Sequence, residues 1–364
     1  KLDLSLLRGD LLAKLGRVDE SRSALVAARK WARLWKVPAS EVAAWLALAR
    51  CDEIQGDHVG LRDDLEAAGR VARAANSLDM TVTVMIAEAT HLRSAGSLDA
   101  ARDALVPALK LLDGRPEALV PVRALLGDLE IDRGAFVDAE RYLGEALDAP
   151  PSTAAPLITA RAAASVSLGV LLSRRGRHEE GVARLREGLA TLRTQGDRFA
   201  QASTQVLLAR ALLSVGPSQE VLDLLAAAER AATAIGADDV LARAAAIRAD
   251  ALRATGDAEA ALAAVRQADG LVQRALRWRT GDGGGELPRE GARLYGVGVW
   301  AAMKLGRPDD LLWSLERSRA IDFLVSLGGT RSLPVLSLPA ELRESLVTSE
   351  SRFEDLRIHR SDDG

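Results

Sequence analysis

The sequence is nearly without cysteine. Cys51 stands alone in 364 residues, so no intrachain disulfide framework can form and a reducing cytoplasm is the expected compartment. Aromatic residues are also scarce, at 3%, although hydrophobic residues reach 48%. The apolar mass is Ala and Leu, which favours helix over strand. No charge of one sign dominates: 48 Lys and Arg against 51 Asp and Glu leave a formal net charge of −3. That balance speaks against nucleic acid or an anionic membrane as a partner. No uninterrupted apolar run reaches spanning length, and no signal-peptide pattern opens the chain. GxSxG, P-loop and HExxH patterns are missing, and no pair among His58, His91, His178 and His359 has helical ligand spacing. No cofactor or metal site is expected.

What is present is a period. Arg174-Arg175-Gly176-Arg177-His178-Glu179-Glu180-Gly181 is a short turn between two apolar-periodic segments. Its glycine recurs as Gly16, Gly56, Gly96, Gly134, Gly216, Gly256 and Gly306, at steps of 40, 40, 38, 42, 40, 40 and 50 residues. Nine residues after each glycine stand Leu25, Leu65, Leu105, Leu143, Leu185, Leu225, Val265 and Leu315, all aliphatic. Twelve after stand Ala28, Ala68, Ala108, Ala146, Gly188, Ala228, Ala268 and Ser318, all small. Seven before stand Gly9, Ala49, Ala89, Gly127, Gly169, Ala209 and Ala249; the eighth unit has Val299 beside Gly298. A small residue in the first helix lets the second approach closely, and an aliphatic one in the second fills the space between. The glycine supplies the left-handed conformation that ends the first helix. Each unit is then an antiparallel helix pair that cannot bury its apolar face alone.

The spacing predicts eight hairpins at residues 1–36, 39–75, 78–112, 117–148, 157–195, 198–235, 238–280 and 288–328. Pro38, Pro116 and Pro150-Pro151 fall between units as helix breakers. Thr280-Gly281-Asp282-Gly283-Gly284-Gly285-Glu286 explains the 50-residue step as a flexible insertion. This small–glycine–aliphatic–small pattern resembles the tetratricopeptide repeat (TPR), best in the unit running from Ser165 to Leu189. The period near 40 exceeds the family's usual 34, and Leu mostly replaces the family's aromatics. The resemblance implies an all-α, right-handed TPR-like superhelical solenoid over residues 1–328.

After Leu327 the repeat stops. Leu333-Pro334-Val335-Leu336-Ser337-Leu338-Pro339 reads as extended, and Ala340 to Arg357 as one more helix with Leu342, Leu346, Phe353 and Leu356 on one face. Leu312-Trp313-Ser314-Leu315-Glu316-Arg317-Ser318-Arg319-Ala320-Ile321-Asp322-Phe323-Leu324 resembles the last repeat helix of the bacterial TPR-CHAT proteins. In that family a Pro-containing linker, a long helix and then a caspase- and separase-like cysteine peptidase domain follow. The resemblance implies that residues 329–364 lead into such a domain beyond Gly364, and that no catalytic residue lies in this chain. The start at Lys1 and the end at Gly364 are read as those of a piece of a longer protein.

In a TPR-like superhelix the first helices line the concave, ligand-bearing surface. The first-helix charges read as exposed there are Arg50, Glu53, Arg93, Asp128, Asp132, Arg174, Arg210, Asp250 and Arg253. Arginines prevail, which suits an acidic peptide or the protein's own downstream peptidase domain; for any single position a solvated helix face is the plainer expectation. Trp31, Trp35 and Trp45 are expected to meet in the first inter-unit core, with an aromatic anchor for a partner as the alternative. Asp63-Asp64-Leu65-Glu66 and Asp309-Asp310 are expected to sit favourably near second-helix starts. The expected function is a non-catalytic, protein-binding regulatory scaffold. One rival is the TPR-like sensor arm of a large signal-transduction or transcription-regulating ATPase. A second is an enzyme with Cys51 or an acidic pair as its catalyst; the sequence shows neither His58 within reach of Cys51 nor a third group to orient the imidazole.

Overall fold

In the computed structural model, residues 2–14, 17–55, 57–277 and 286–326 are described. They form sixteen helices and no strand. The helices pair as α1 (Leu2–Lys14) with α2 (Val18–Leu34), α3 (Pro38–Gln55) with α4 (His58–Ala74), α5 (Leu78–Ser94) with α6 (Leu98–Leu111), and α7 (Val120–Asp132) with α8 (Phe136–Asp148). The series continues with α9 (Ala155–Arg174) and α10 (His178–Gln195), α11 (Arg198–Val215) and α12 (Gln219–Ile235), α13 (Asp238–Ala254) and α14 (Ala258–Arg277), and α15 (Glu286–Leu305) and α16 (Pro308–Ser326). The eight predicted hairpins are therefore present, and the architecture is a TPR-like solenoid.

The small–aliphatic spacing works as steric pairing. A Cβ placed on Gly9 would lie 2.5 Å from the Leu25 side chain, and one on Gly127 would lie 2.5 Å from Leu143. Gly169 sits under Leu185 and also 2.8 Å, measured from its would-be Cβ, from the Gly181 carbonyl oxygen. The α9–α10 pair is thus in backbone-to-backbone contact. Where the first helix carries Ala instead, as at Ala89, Ala209 and Ala249, the methyl is itself fully buried.

The turn glycines take the left-handed conformation at Gly96, Gly134, Gly176, Gly256 and Gly306. Gly216 does not: its φ of 164° is extended, and Pro217 follows it into the loop before α12. Gly16 and Gly56 lie outside the described residues, as do residues 278–285 of the insertion and the segment from 327 onward. Two further corrections concern boundaries. Pro38 is the first residue of α3 rather than a spacer, a place where its missing N–H costs nothing. Asp63 and Asp64 lie beyond the first turn of α4, which holds no acid; Asp57 caps that helix instead, accepting from the Gly60 N–H at 2.9 Å.

Each odd helix packs on the odd helix of the next repeat, from α1 on α3 through α13 on α15. No successive even helices pack comparably among the described residues. The array therefore curves with its odd helices on the inner side. Helix α9 is long and apolar enough, by length and composition alone, to cross a membrane. Its apolar residues have partners here: Leu168, Leu171 and Leu172 are buried with residues of α7 and α8, and Gly169 lies against α10.

Candidate functional site

Positions are given as offsets from the turn glycine of each repeat. Two rows run along the inner face of the odd helices. One, at −6, reads Asp10, Arg50, Thr90, Asp128, Val170, Arg210, Asp250 and Trp300; the other, at −3, includes Glu53, Arg93, Leu213 and Arg253. The charges expected on this face prove to be joined to neighbouring groups, several across repeats. Arg50 donates to Asp10 at 3.3 Å. Glu53 accepts from Ser94 at 3.0 Å and faces the His91 ring at 3.4 Å. Arg93 donates to Asp132 at 2.6 Å and reaches Asp128 at 3.4 Å.

Electrostatics follow from that geometry. Burial opposes the Arg93 charge, but Asp128 and Asp132 outweigh it and hold the guanidinium more basic than usual. Burial pushes the Asp128 carboxyl up, against the pull of Arg93 and a hydrogen bond from Ser167 of α9. Asp250 is not an exposed charge: it is 3% exposed, because α15 lies against α13 and Arg293 reaches across to within 2.5 Å of its carboxylate. Arg253 joins it at 3.4 Å. Arg174 is exposed and Arg210 half-buried. Around these two the inner face changes character, with Val170, Leu207 and Leu213 beside Ser203 and Arg243, which meet across α11 and α13 at 3.5 Å.

Two ion pairs between a buried carboxylate and a partly exposed arginine escaped the sequence reading. Asp52 and Glu130 are closed from solvent at −4, where the other described repeats hold Leu12, Leu92, Leu172, Leu212, Leu252 or Ala302. Each meets an arginine at +6 of the preceding repeat: Arg22 for Asp52, and Arg102 for Glu130 at 2.9 Å. The signal was available as a carboxylate standing in a leucine column. Such pairs do little for net stability but penalise any stacking that leaves one partner alone.

Cys51 is fully buried, its Sγ 3.3 Å from the Ser21 hydroxyl, which in turn donates to the Gly9 carbonyl at 2.6 Å. It packs at the first inter-repeat junction as a small core residue. The His58 side chain lies outside the described residues. The three tryptophans do not form one core cluster. Trp45 is half-buried with Arg29 stacked on it at 4.1 Å, whereas Trp31 and Trp35 stack at 5.4 Å and stay exposed. No group of three or more metal-ligating side chains occurs among the described residues. Open grooves of about 450 and 560 Å³ lie between successive even helices on the outer side, one lined by Glu229, Arg248 and Leu271, the other by Glu140, Leu172 and Arg184.

No family model matches the sequence, and no curated protein matches it. Solved structures do. The apo form of RapI is similar at 9% identity and a TM-score of 0.53, covering 90% of this chain and 99% of its own. A Rap protein complexed with Competence and Sporulation Factor is similar at 11% identity and a TM-score of 0.48, covering 89% of this chain and 98% of its own. A signal-transduction ATPase with a tetratricopeptide repeat sensor from Pyrococcus horikoshii gives 12% identity and a TM-score of 0.44, covering 94% of this chain and 54% of its own. At these identities the likeness to RapI establishes the fold alone.

Proposed function

We propose that this chain is a non-catalytic binding scaffold whose inner face takes a protein or peptide segment. The observation that carries the reading is the continuous inner wall of packed odd helices, with a change of surface at its middle. Towards the ends, arginines and carboxylates satisfy one another across repeats. In the middle, Arg174, Arg210 and Arg243, each with partners of its own, stand among Val170, Leu207 and Leu213. A segment with an acidic group flanked by apolar side chains fits that mixture. Charge reversal at Arg174 and Arg210 tests it: the variant keeps its helix content but loses partners that wild type retains in affinity capture from its own cells. Retained binding of the same partners contradicts the reading.

The finer proposal is that the array belongs to a TPR-CHAT protein of the reducing cytoplasm. Residues 329–364 would be its link, and the array would restrain the downstream peptidase domain or present its partner. Support comes from the Glu316-to-Leu324 pattern on α16. That helix is fixed to the array, with Arg317 3.3 Å from Asp269 and Trp313 stacked under Arg266 at 3.7 Å. Movement in the array would reach whatever follows α16. The sequence of the gene product beyond Gly364 tests this part; a product with no His–Cys peptidase domain there contradicts it.

A further inference from the structure

The fourth repeat is short at the edge of the array where successive repeats are linked. Its first helix, α7, begins at −14, whereas α3, α5, α11 and α13 begin at −18. Its second helix, α8, ends at +14, whereas α4 ends at +18 and α10 and α12 at +19. Helix α9 of the next repeat begins early instead, at −21. About one helical turn is therefore missing beside a helix that projects past its neighbours. Pro150-Pro151-Ser152 crosses the gap, and a cavity of about 200 Å³ lies there, walled by Val120, Pro150, Pro151, Leu157, Ile158 and Ala162. Among the described residues none at −6 or −3 lines it, so it is separate from the inner-face rows.

The wall is held from within. Arg161 donates to the Ala149 carbonyl at 2.6 Å and to the Leu147 carbonyl, which ties the linker to α9 and sets its charge against the negative end of α8. Other donors of the wall are spent inside the fold. Ser165, 2% exposed, donates to the Arg184 carbonyl at 2.9 Å, and Thr191 donates to the Glu187 carbonyl at 3.2 Å. The N–H groups of Leu157 and Ile158 both turn back to the Ala154 carbonyl, and Pro150, Pro151 and Pro156 have no N–H to give. What remains is carboxylate, an acceptor only. Glu117 is exposed, and its carboxylate has no hydrogen-bond or ion-pair partner among the described residues. Glu187 adds a second carboxylate from α10, held by Ser165 at 3.3 Å and by Arg184 of its own helix at 2.9 Å; that exposed pair within one helix is weak and yields readily to another cation.

We propose that this cavity binds a small organic ammonium. Its apolar stem sits among the prolines and the first turns of α9, and its charged head meets Glu117 and Glu187. An apolar cavity of about 150 Å³ takes up benzene, so about 200 Å³ suits a stem of about five carbons. The two carboxylates oppose an anion of the same size, and an alcohol gains nothing from their charge.

Titration of the full chain with pentylamine, followed by methyl NMR, tests this. Pentylamine shifts the Leu157 and Ile158 methyl signals with a Kd of about 0.1 to 1 mM, and pentanol and pentanoate bind about tenfold more weakly or worse. Glu117→Gln and Glu187→Gln each weaken pentylamine about fivefold, with the circular dichroism of wild type, since both positions are exposed. Nα-acetyl-lysine amide, which presents the same head on a blocked backbone, binds more weakly than pentylamine, which marks a site for a free amine rather than for a partner's lysine. No Ile158 shift at about 10 mM pentylamine, equal binding of pentanol or pentanoate, full affinity in both glutamate variants, or tighter binding of the lysine derivative overturns the proposal.

Discussion

Gly169→Ala places a methyl where the α9–α10 pair has no room for one. The added Cβ lies 2.8 Å from the Gly181 carbonyl oxygen, 2.8 Å from Leu185 Cγ and 3.0 Å from the Leu185 nitrogen. Two of these three are backbone atoms, which no rotamer change can move aside. Alanine gains about 1 kcal/mol over glycine from helix propensity, but overpacking a close contact costs about 1 to 3 kcal/mol. The balance is a loss of about 1 kcal/mol. Gly144→Ala in α8 is the control, since nothing lies within 4 Å of its added Cβ; there the propensity gain stands alone at about 0.5 to 1 kcal/mol. The same chemical change then has opposite signs at two helical glycines. Urea unfolding followed by circular dichroism reads the stabilities, and hydrogen exchange on α9 and α10 reads the local effect, because a repeat array need not unfold as one unit. Gly169→Ala as stable as Gly144→Ala would refute the close-approach reasoning.

Further outcomes follow from other features. Asp52→Ala takes away Arg22's carboxylate partner but leaves it the Gln55 side chain at 2.9 Å and solvent, at a cost of about 1 kcal/mol, whereas Arg22→Leu/Asp52→Leu restores the aliphatic column and is near neutral or stabilising; urea midpoints for the two variants check this. Lys36 holds φ of 55° after α2, so Lys36→Gly stabilises by about 0.5 to 1 kcal/mol, read as a raised thermal midpoint. Burial pushes the Asp64 carboxyl up to about 6, helped by Asp63 and Asp57 and opposed by Arg22 and Arg29. A folded-state value above the unfolded one means stability present at low pH and lost as pH rises through about 6. Asp64→Asn is therefore more stable than wild type at pH 7 and gains nothing at pH 4; equal gains at both pH values would contradict this.

The repeat was legible because its steric rule is local. Gly9 with Leu25, Gly127 with Leu143 and Gly169 with Leu185 stand at fixed distances along the chain, and the structure shows each pair in contact. Helix ends were less legible. Lys36 and Asn76 adopt the left-handed conformation without being glycine, because the turn is held by flanking packing rather than by residue type. The inner-face charges were found by position, but their state was not. Whether Asp250 is exposed depends on Arg293, which lies 43 residues later, beyond an insertion of unpredictable length. The placing of Trp31 and Trp35 failed for a related reason. Successive even helices do not pack on one another among the described residues, so that side of α2 stays open to solvent.

A photo-crosslinking amino acid placed at Val170 or Leu207 on the inner face, and separately at the exposed Val59 or Val137 of even helices, tests the binding-scaffold reading most directly. Adducts with the same partner should form from both inner positions, vanish with Arg174→Glu/Arg210→Glu, and be missing from the outer ones. Adducts formed equally from the outer positions, or inner-face adducts untouched by the charge reversal, would contradict it.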